Sequence, residues 1–359
     1  MGLVSDLRDK KIIICCGSGG VGKTTLAAGV ALWAAKRGRK TIVLTIDPAK
    51  RLATALGLDA LGLEPQRVPG SGSGSPLYAM MLDTKRAFDQ LIEKYTASEE
   101  ARRSISENRL YQHLSNMISG SQEYMAMEKL YDLYHQQEFD LIVLDTPPTR
   151  HALDFLEAPQ KMIHLASRSA IKWFLKPGIF ASRVGLGALQ RGAQAFRIFD
   201  KLAGFEFLRE LSEMIVLMGG LLGGFHERAE AVYELLRRKE AGFLLITSTA
   251  SVSIQDSLYF YRQMSERELP FLGFIINRVL AEAADFSPKK LASLPEELRL
   301  RVLQLMEQYQ ELSARDRDAM TLLKKMGGKR NSYYTVPFFL DDVHDLDGLS
   351  EMSKSLFQD

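Results

Sequence analysis

Cysteine is nearly missing from this 359-residue chain: Cys15 and Cys16 are the only two. They adjoin on a predicted strand, where neighbouring side chains point to opposite faces, so a disulfide between them would be strained. Neither a disulfide framework nor a C-x-x-C zinc pair can be built, and no zinc is expected. A reducing cytoplasm suits such a chain. Long uncharged apolar runs are missing too, so no segment is expected to span a bilayer. The polar, mixed-charge stretch Met1 to Lys11 is unlike a signal peptide. Excess charge of either sign is absent: 46 Lys and Arg against 44 Asp and Glu leave +2. That balance gives no global argument for nucleic-acid binding, and none is expected. The six histidines are scattered without metal-ligand spacing. What remains, 46% apolar and 25% charged residues, is an ordinary globular composition. The length fits two average domains, or one large α/β domain with an insertion.

The apolar pattern predicts a series of buried strands. Lys11–Cys16 (K-I-I-I-C-C) is the first. A glycine-rich loop follows, then a helix over Thr24–Lys36 that Gly38 stops. Thr41–Ile46 is a second strand, ending at Asp47-Pro48. A βαβ unit of this kind calls for a right-handed crossover and a parallel sheet. Pro69 to Pro76 (P-G-S-G-S-G-S-P) reads as a flexible surface loop. Further strands are expected at Leu77–Leu82, Phe139–Asp145, Gly242–Thr247, Pro270–Asn277 and Tyr333–Phe338, with helix over Lys85 to Gln137. Pro159 to Lys239 lacks strand alternation and reads as helices inserted between two strands. The expected fold is therefore a phosphate-loop (P-loop) NTPase of α/β class, a mostly parallel sheet flanked by helices, with an inserted helical subdomain. The division is 1–158 for the first part of the core, 159–240 for the insert and 241–359 for the second part of the core.

The loop Gly17-Ser18-Gly19-Gly20-Val21-Gly22-Lys23-Thr24-Thr25 fits G-x-x-x-x-G-K-[ST]. It leaves a strand and opens a helix, so the backbone N–H groups of Gly19, Gly20, Val21, Gly22, Lys23, Thr24 and Thr25 can face phosphates. Lys23 would reach the β- and γ-phosphates, and Thr24 would place its hydroxyl on Mg²⁺. Gly17-x-Gly19-x-x-Gly22 also fits a dinucleotide fingerprint, with Asp47 as the ribose ligand. Lys23-Thr24 decides for a triphosphate, since a dinucleotide crevice has no use for that cation and hydroxyl. Asp145, closing an apolar strand, supplies the Walker B acid beside Mg²⁺. Asp47 can cap a helix or orient an attacking water, and its place beside the loop favours the catalytic role. Asp145-Thr146-Pro147-Pro148-Thr149-Arg150-His151 leaves a strand and can sense the γ-phosphate.

The loop, D-P-A-K, and D-T-P-P-T-R-H-A-L-D-F-L resemble the ArsA family. It includes arsenite-pump ATPases and ATPases that target tail-anchored membrane proteins. The resemblance covers most of the chain, including Gly120–Leu130 ahead of Walker B. It implies ATP and Mg²⁺, a dimer with two ATP sites at or near its interface, and Asp47 as the residue that positions water. Asn277 in I-I-N-R-V and Pro337-Phe338 fall where the family contacts adenine. No N-K-x-D guanine reader is visible. Ser18 stands where the family usually carries a lysine that reaches the partner's nucleotide. Arg150, Lys50 and Arg51 are the replacement cations to weigh, with Arg150 also readable as a solvated surface arginine. A heterodimer whose partner supplies the lysine is the other solution. The cysteines an arsenite pump needs are absent.

Lys161 to Lys201 carries eight Lys and Arg and one acid, Asp200, interleaved with Trp173, Phe174, Phe196 and Phe199. The resemblance favours a groove for the hydrophobic helix of a membrane-protein client, against a plain helical core with snorkelling cations. The expected function is ATP hydrolysis in a homodimer or heterodimer, coupled to membrane-protein targeting or a membrane partner. The alternatives are the motor subunit of an anion pump and a regulatory ATPase without transport. The expected location is the cytoplasm, peripheral at the membrane.

Overall fold

The computed structural model describes residues 2–47, 51–72, 74–83, 99, 121–146, 227–281, 291 and 293–358, with backbone alone at 121–124. Among them, eight strands form one sheet: β1 (Ile12–Cys16), β2 (Thr41–Thr45), β3 (Gln66–Arg67), β4 (Leu77–Met81), β5 (Leu141–Asp145), β6 (Ala241–Ser248), β7 (Phe271–Val279) and β8 (Tyr333–Pro337). Their order is β3-β4-β2-β5-β1-β6-β7-β8. Every neighbouring pair is parallel except β3 with β4. The central strands β1, β2 and β5 are buried at every position, as sheet covered on both faces requires. The fold is thus the α/β class of the P-loop NTPases.

Parallel pairing has one consequence that matters for the site: the C-termini of every strand but β3 finish on the same edge. The register makes this concrete. Asp145 at the end of β5 lies level with Cys15 of β1 and Thr45 of β2. Ser248 lies level with Asn277, and Val279 with Pro337. Residues separated by more than 300 positions in sequence therefore meet at one edge.

The labelled helices are α1 (Leu3–Leu7), α2 (Lys23–Lys36), α3 (Arg51–Ala55), α4 (Ser121–Gln136), α5 (Ser251–Glu266), α6 (Glu296–Gly327) and α7 (Leu346–Phe357). Helix α2 is buried nearly all round, from Lys23 to Ala35, because the sheet takes one side and α7 another. Gly29 is the point of closest approach: a Cβ there would lie 2.3 Å from the Met352 methyl, and the Ser353 hydroxyl donates to the Gly29 carbonyl at 3.0 Å. Trp33 stacks on Phe357 with ring centroids 4.0 Å apart. This packing fixes the direction of α2, and so of the loop that opens it.

The seven strands expected from the sequence form, with ends moved by one or two residues. The eighth, β3, has two exposed residues and no apolar pattern to announce it. Pro69 to Pro76 departs from the expected flexible loop. The Ser75 N–H donates to the Ala35 carbonyl and its hydroxyl to the Gly38 carbonyl, which satisfies carbonyls at the C-terminal end of α2. Ser71 is buried, and a Cβ on Gly74 would meet the Ala35 oxygen at 2.4 Å. Small residues let this segment lie close to the helix end, a purpose that composition alone does not distinguish from flexibility.

The chain divides into two compact units: Met1–Leu82, Asp132–Leu153 and Leu236–Asp359 in one, Asp83–Tyr131 and Asp154–Leu235 in the other. In the second unit, residues 227–235 are helical, and Arg228 pairs with the buried Glu128 at 2.6 Å while its guanidinium covers the Tyr131 ring. Most of the segment 159–240 expected as a helical insert, with its basic and aromatic stretch, lies outside the described residues. So do Lys50 and the segment from Pro147 through Arg150 to Leu156.

Candidate functional site

The sheet edge carries a cleft of about 1000 Å³, lined by the glycine loop on one side and by the ends of β7 and β8 on the other. The loop is held by steric necessity. At Gly17 a Cβ would sit 2.1 Å from the Ile246 carbonyl oxygen, so the chain passes β6 only without a side chain. Gly22 has φ +91°, and a Cβ there would meet the Asn277 amide nitrogen at 2.3 Å. Between them Val21 is buried and pins the loop to the core. Lys23 and Thr24 then begin α2, whose first turn leaves N–H groups for a ligand.

Thr24, Thr45 and Asp145 form a bonded set. The Thr24 hydroxyl donates to Asp145 Oδ2 at 2.8 Å, and the Thr45 hydroxyl donates to the same oxygen at 3.0 Å. Thr45 also accepts from the Asp47 N–H at 3.2 Å, which ties the end of β2 to that of β5. Asp145 Oδ1 is buried without a hydrogen-bond partner. Burial pushes the Asp145 carboxyl up to about 6, although the two threonine bonds and Lys23 pull it down. An orphaned carboxylate oxygen beside a threonine hydroxyl is an all-oxygen donor set, which suits Mg²⁺ and not a soft metal.

Lys23 is 6% exposed, and its ammonium donates to the Ser18 carbonyl at 2.8 Å. Burial lowers its pKa, with Asp145 opposing. The cation thus lies folded along its own loop, on the cleft side. Ser18 contributes that carbonyl, and its hydroxyl is buried without a partner. Asp47 lines the cleft and pairs with Arg51, four residues on, at 3.4 Å. Of the three cations weighed for the missing loop lysine, Arg51 is the one described, and it lies in the cleft beside Asp47. Arg150 and Lys50 lie outside the described residues.

At the other end, Asn277, Pro337 and Phe338 all line the cleft. Asn277 is not turned freely into it. Its amide nitrogen donates to the Val21 carbonyl at 2.9 Å, and its oxygen accepts from the Arg278 N–H at 3.0 Å. Sequence reasoning missed Thr45, Arg278 and the stretch Phe339 to His344, all placed at the site. Thr45 had a signal: it sits two residues before Asp47 at a strand end. The 339–344 stretch had none, since nothing in its composition marks it as a wall.

Cys15 and Cys16 are core residues of β1, and burial holds both thiols well protonated, that of Cys16 at about 12. The Thr146 hydroxyl spends itself on the Cys15 carbonyl at 2.8 Å. Among the described residues no group of three His, Cys, Asp or Glu could hold a metal ion, and no helix is long and apolar enough to cross a membrane.

Comparison with known proteins points the same way as the site. The family model for the anion-transporting ATPases (ArsA) matches residues 10–185. "ATPase GET3" of Malassezia globosa is 33% identical over 156 residues, 44% of each chain. "ATPase GET3" of Mycosarcoma maydis is 31% identical over 211 residues, 58% of this chain and 59% of that one. "ATPase GET3B" of Arabidopsis thaliana is 24% identical over 324 residues, 85% of this chain and 72% of that one. The chain spans less than two thirds of the two fungal relatives. The matched segment, just under half of the chain, carries the loop, Asp47 and Asp145 in the arrangement just described, and over that segment the chain is similar to the anion-transporting ATPase (ArsA) family.

Proposed function

We propose that this chain is a Mg²⁺-dependent ATPase that converts ATP and water to ADP and phosphate. The observation that carries the reading is the buried Asp145, bonded to Thr24 and Thr45 through one oxygen and left with the other open beside Lys23. A bound Mg²⁺ would neutralise phosphate charge and fix the terminal phosphate in line for attack. Thr24 would ligate it directly, and Asp145 would hold it directly or through water. Lys23 would exchange the Ser18 carbonyl for the β- and γ-phosphate oxygens, a gain of charge pairing for a neutral bond. Asp47 would orient the attacking water and accept its proton. Arg51 would supply cationic charge from the neighbouring turn, and Arg150 from the segment that follows Asp145. The cleft end formed by Asn277, Pro337 and Phe338 would take adenine.

The ATPase works, in this reading, as a homodimer or as a heterodimer with a paralogue, closing on ATP and opening after hydrolysis. Its output is the targeting of a membrane-protein client whose hydrophobic helix is received by the insert at 159–240. The protein is cytoplasmic and peripheral at the membrane. The anion-pump alternative is not favoured: both cysteines of the whole chain are buried in β1, which leaves no thiol for a metalloid.

Phosphate release with Mg·ATP tests the enzyme, and the Asp47→Asn variant tests the mechanism. Turnover should fall at least about a hundredfold in the variant while ATP binding persists. Retained turnover would remove Asp47 from the chemistry. The same variant, loaded with Mg·ATP and used as bait, should retain membrane proteins that the nucleotide-free protein does not. If the two pull-downs match, the targeting reading loses its support.

A further inference from the structure

The strands begin at the edge opposite the cleft, and β2, β5, β1, β6, β7 and β8 lie side by side there. Four of the six are entered through basic runs: K-R-G-R-K at 36–40 before β2, R-D-K-K at 8–11 before β1, R-R-K-E at 237–240 before β6 and K-K-M-G-G-K-R at 324–330 before β8. The other two are entered through E-F-D at 138–140 and R-E-L-P at 267–270. These entries hold fifteen Lys and Arg against five Asp and Glu, an excess of ten in a chain whose total is +2. The cleft shows no such excess: Lys23, Arg51 and Arg278 meet Asp47, Asp341 and Asp342.

The runs are tied to one another at the centre of the edge. Arg39 donates to the carbonyls of Leu7, Lys10 and Asp140. The Lys10 ammonium donates to the Lys239 carbonyl at 2.5 Å and to the Ala241 carbonyl at 3.1 Å, and Lys40 pairs with Glu138 at 3.0 Å. Stretches far apart in sequence thus make one patch, about 24 Å wide across six strands. Arg8, Lys11, Lys36, Arg238 and Lys239 are exposed and make no ion pair among the described residues. A cation in the last turn of a helix offsets its dipole, which accounts for Lys36 of α2 and for Lys324 and Lys325 of α6. Lys11, Lys40, Lys239 and Lys329 lie outside the helices, where that benefit fades.

We infer that this edge docks on an anionic lipid surface, by diffuse charge attraction and without insertion. The inference rests on the peripheral membrane location proposed above and gives that location a face. The rings that could stack on nucleic-acid bases are already covered: Arg37 lies over Trp33, Lys11 over Tyr134 and Lys40 over Phe139. Trp33 and Phe139 are buried as well, so they give no aromatic wedge for a bilayer. Helix α2 ends here, and a helix C-terminus has no N–H groups to give a tightly held phosphate. What the edge offers is a broad array of long, hydrated cations, which a charged bilayer engages together and without a groove. The cleft lies at the far edge of the sheet, so docking leaves it open to nucleotide.

The test is cosedimentation of the full chain with vesicles, either phosphatidylcholine alone or equal parts of phosphatidylcholine and phosphatidylserine. The wild type should bind the mixed vesicles alone, and binding should fall steeply as salt is raised. Lys11→Gln with Lys239→Gln should weaken binding about fivefold for each charge, roughly twentyfold together, with ATP turnover unchanged. Arg301→Gln with Arg315→Gln removes the same charge from α6, about 18 Å or more from the end of that helix, and should bind as the wild type does. Equal loss in the two double variants, or none in the first, overturns the assignment of this edge. Equal binding to phosphatidylcholine alone overturns the charge mechanism. Duplex DNA that displaces the wild type from mixed vesicles at matched phosphate, but not the Lys11 and Lys239 variant, makes the edge a nucleic-acid surface and overturns the inference. A wild type that binds no vesicle, while Asp47→Asn still retains membrane proteins with Mg·ATP, overturns the inference and leaves the targeting reading standing.

Discussion

At the glycine-loop end of the cleft, proposed to take the phosphates, Asp145, Lys23 and Thr146 are each 6% exposed or less, whereas at the β8 end, proposed to take the base, Phe338 is half exposed and Leu340 is 97% exposed. The first end is assembled from the tips of buried parallel strands, where Asp145, Thr45 and Cys15 are level by register. The second is a short strand end followed by a stretch that lies against the cleft. Low dielectric at the buried end strengthens each polar contact and raises the cost of each missing one. At the open end water can replace a lost contact, so single changes cost little. The two ends of one cleft should therefore answer mutation very differently.

The largest contrast should come from Gly22→Ala. A methyl here collides with the Asn277 amide, and φ +91° is strained for any L side chain. ATP affinity should fall by more than about a hundredfold, with a loss of folding stability of roughly 1–3 kcal/mol. Calorimetric titration and thermal melting read both. Binding within a few-fold of wild type would show that the loop adapts, and would erase the distinction drawn between the two ends.

The second prediction uses the carboxyl of Asp145 in metal-free protein. Its pKa stands at about 6 in the folded chain against 3.8 for an unburied aspartate, chiefly through burial. The folded state therefore holds this proton more tightly than the unfolded chain does. Its contribution to stability is fully present below about pH 4 and is lost as the pH rises through about 6. The total is on the order of 3 kcal/mol. Urea unfolding in a chelator across that range should show the decline, and Asp145→Asn should flatten it. A slope that survives the substitution belongs to other groups, and the phosphate end would then be less buried than its geometry says.

The same contrast governs what could be read from the sequence. The strands, the loop, Lys23, Thr24 and Asp145 were legible because a buried parallel strand must be apolar along its length and a phosphate cradle must be glycine-rich. Both constraints are local, so they leave a pattern. Thr45 is different: its hydroxyl meets Asp145 only because β2 and β5 are neighbours, a fact of sheet order. Asn277 was placed at the site, but its bond to Val21 was invisible, since nothing near position 277 records what lies across β6. Pro69 to Pro76 misled in the other direction. Glycine and serine serve a flexible loop and a close-packed one equally well, and here Ser75 caps the end of α2.

The smallest effect is expected at Leu340, and it tests the open end directly. An apolar side chain that is 97% exposed buries almost nothing, so Leu340→Ser should leave the melting temperature within about 1 °C of wild type. Yet Leu340 lines the cleft, and a bound base would cover part of it. Burial of a few tens of Å² is worth about 1 kcal/mol, hence a loss of ATP affinity of about two- to fivefold. Tripolyphosphate, which has no base, should bind as before. If the substitution weakens tripolyphosphate as much as ATP, the Leu340 stretch acts on the phosphate loop, and the cleft behaves as one cooperative site instead of a rigid end and a tolerant one.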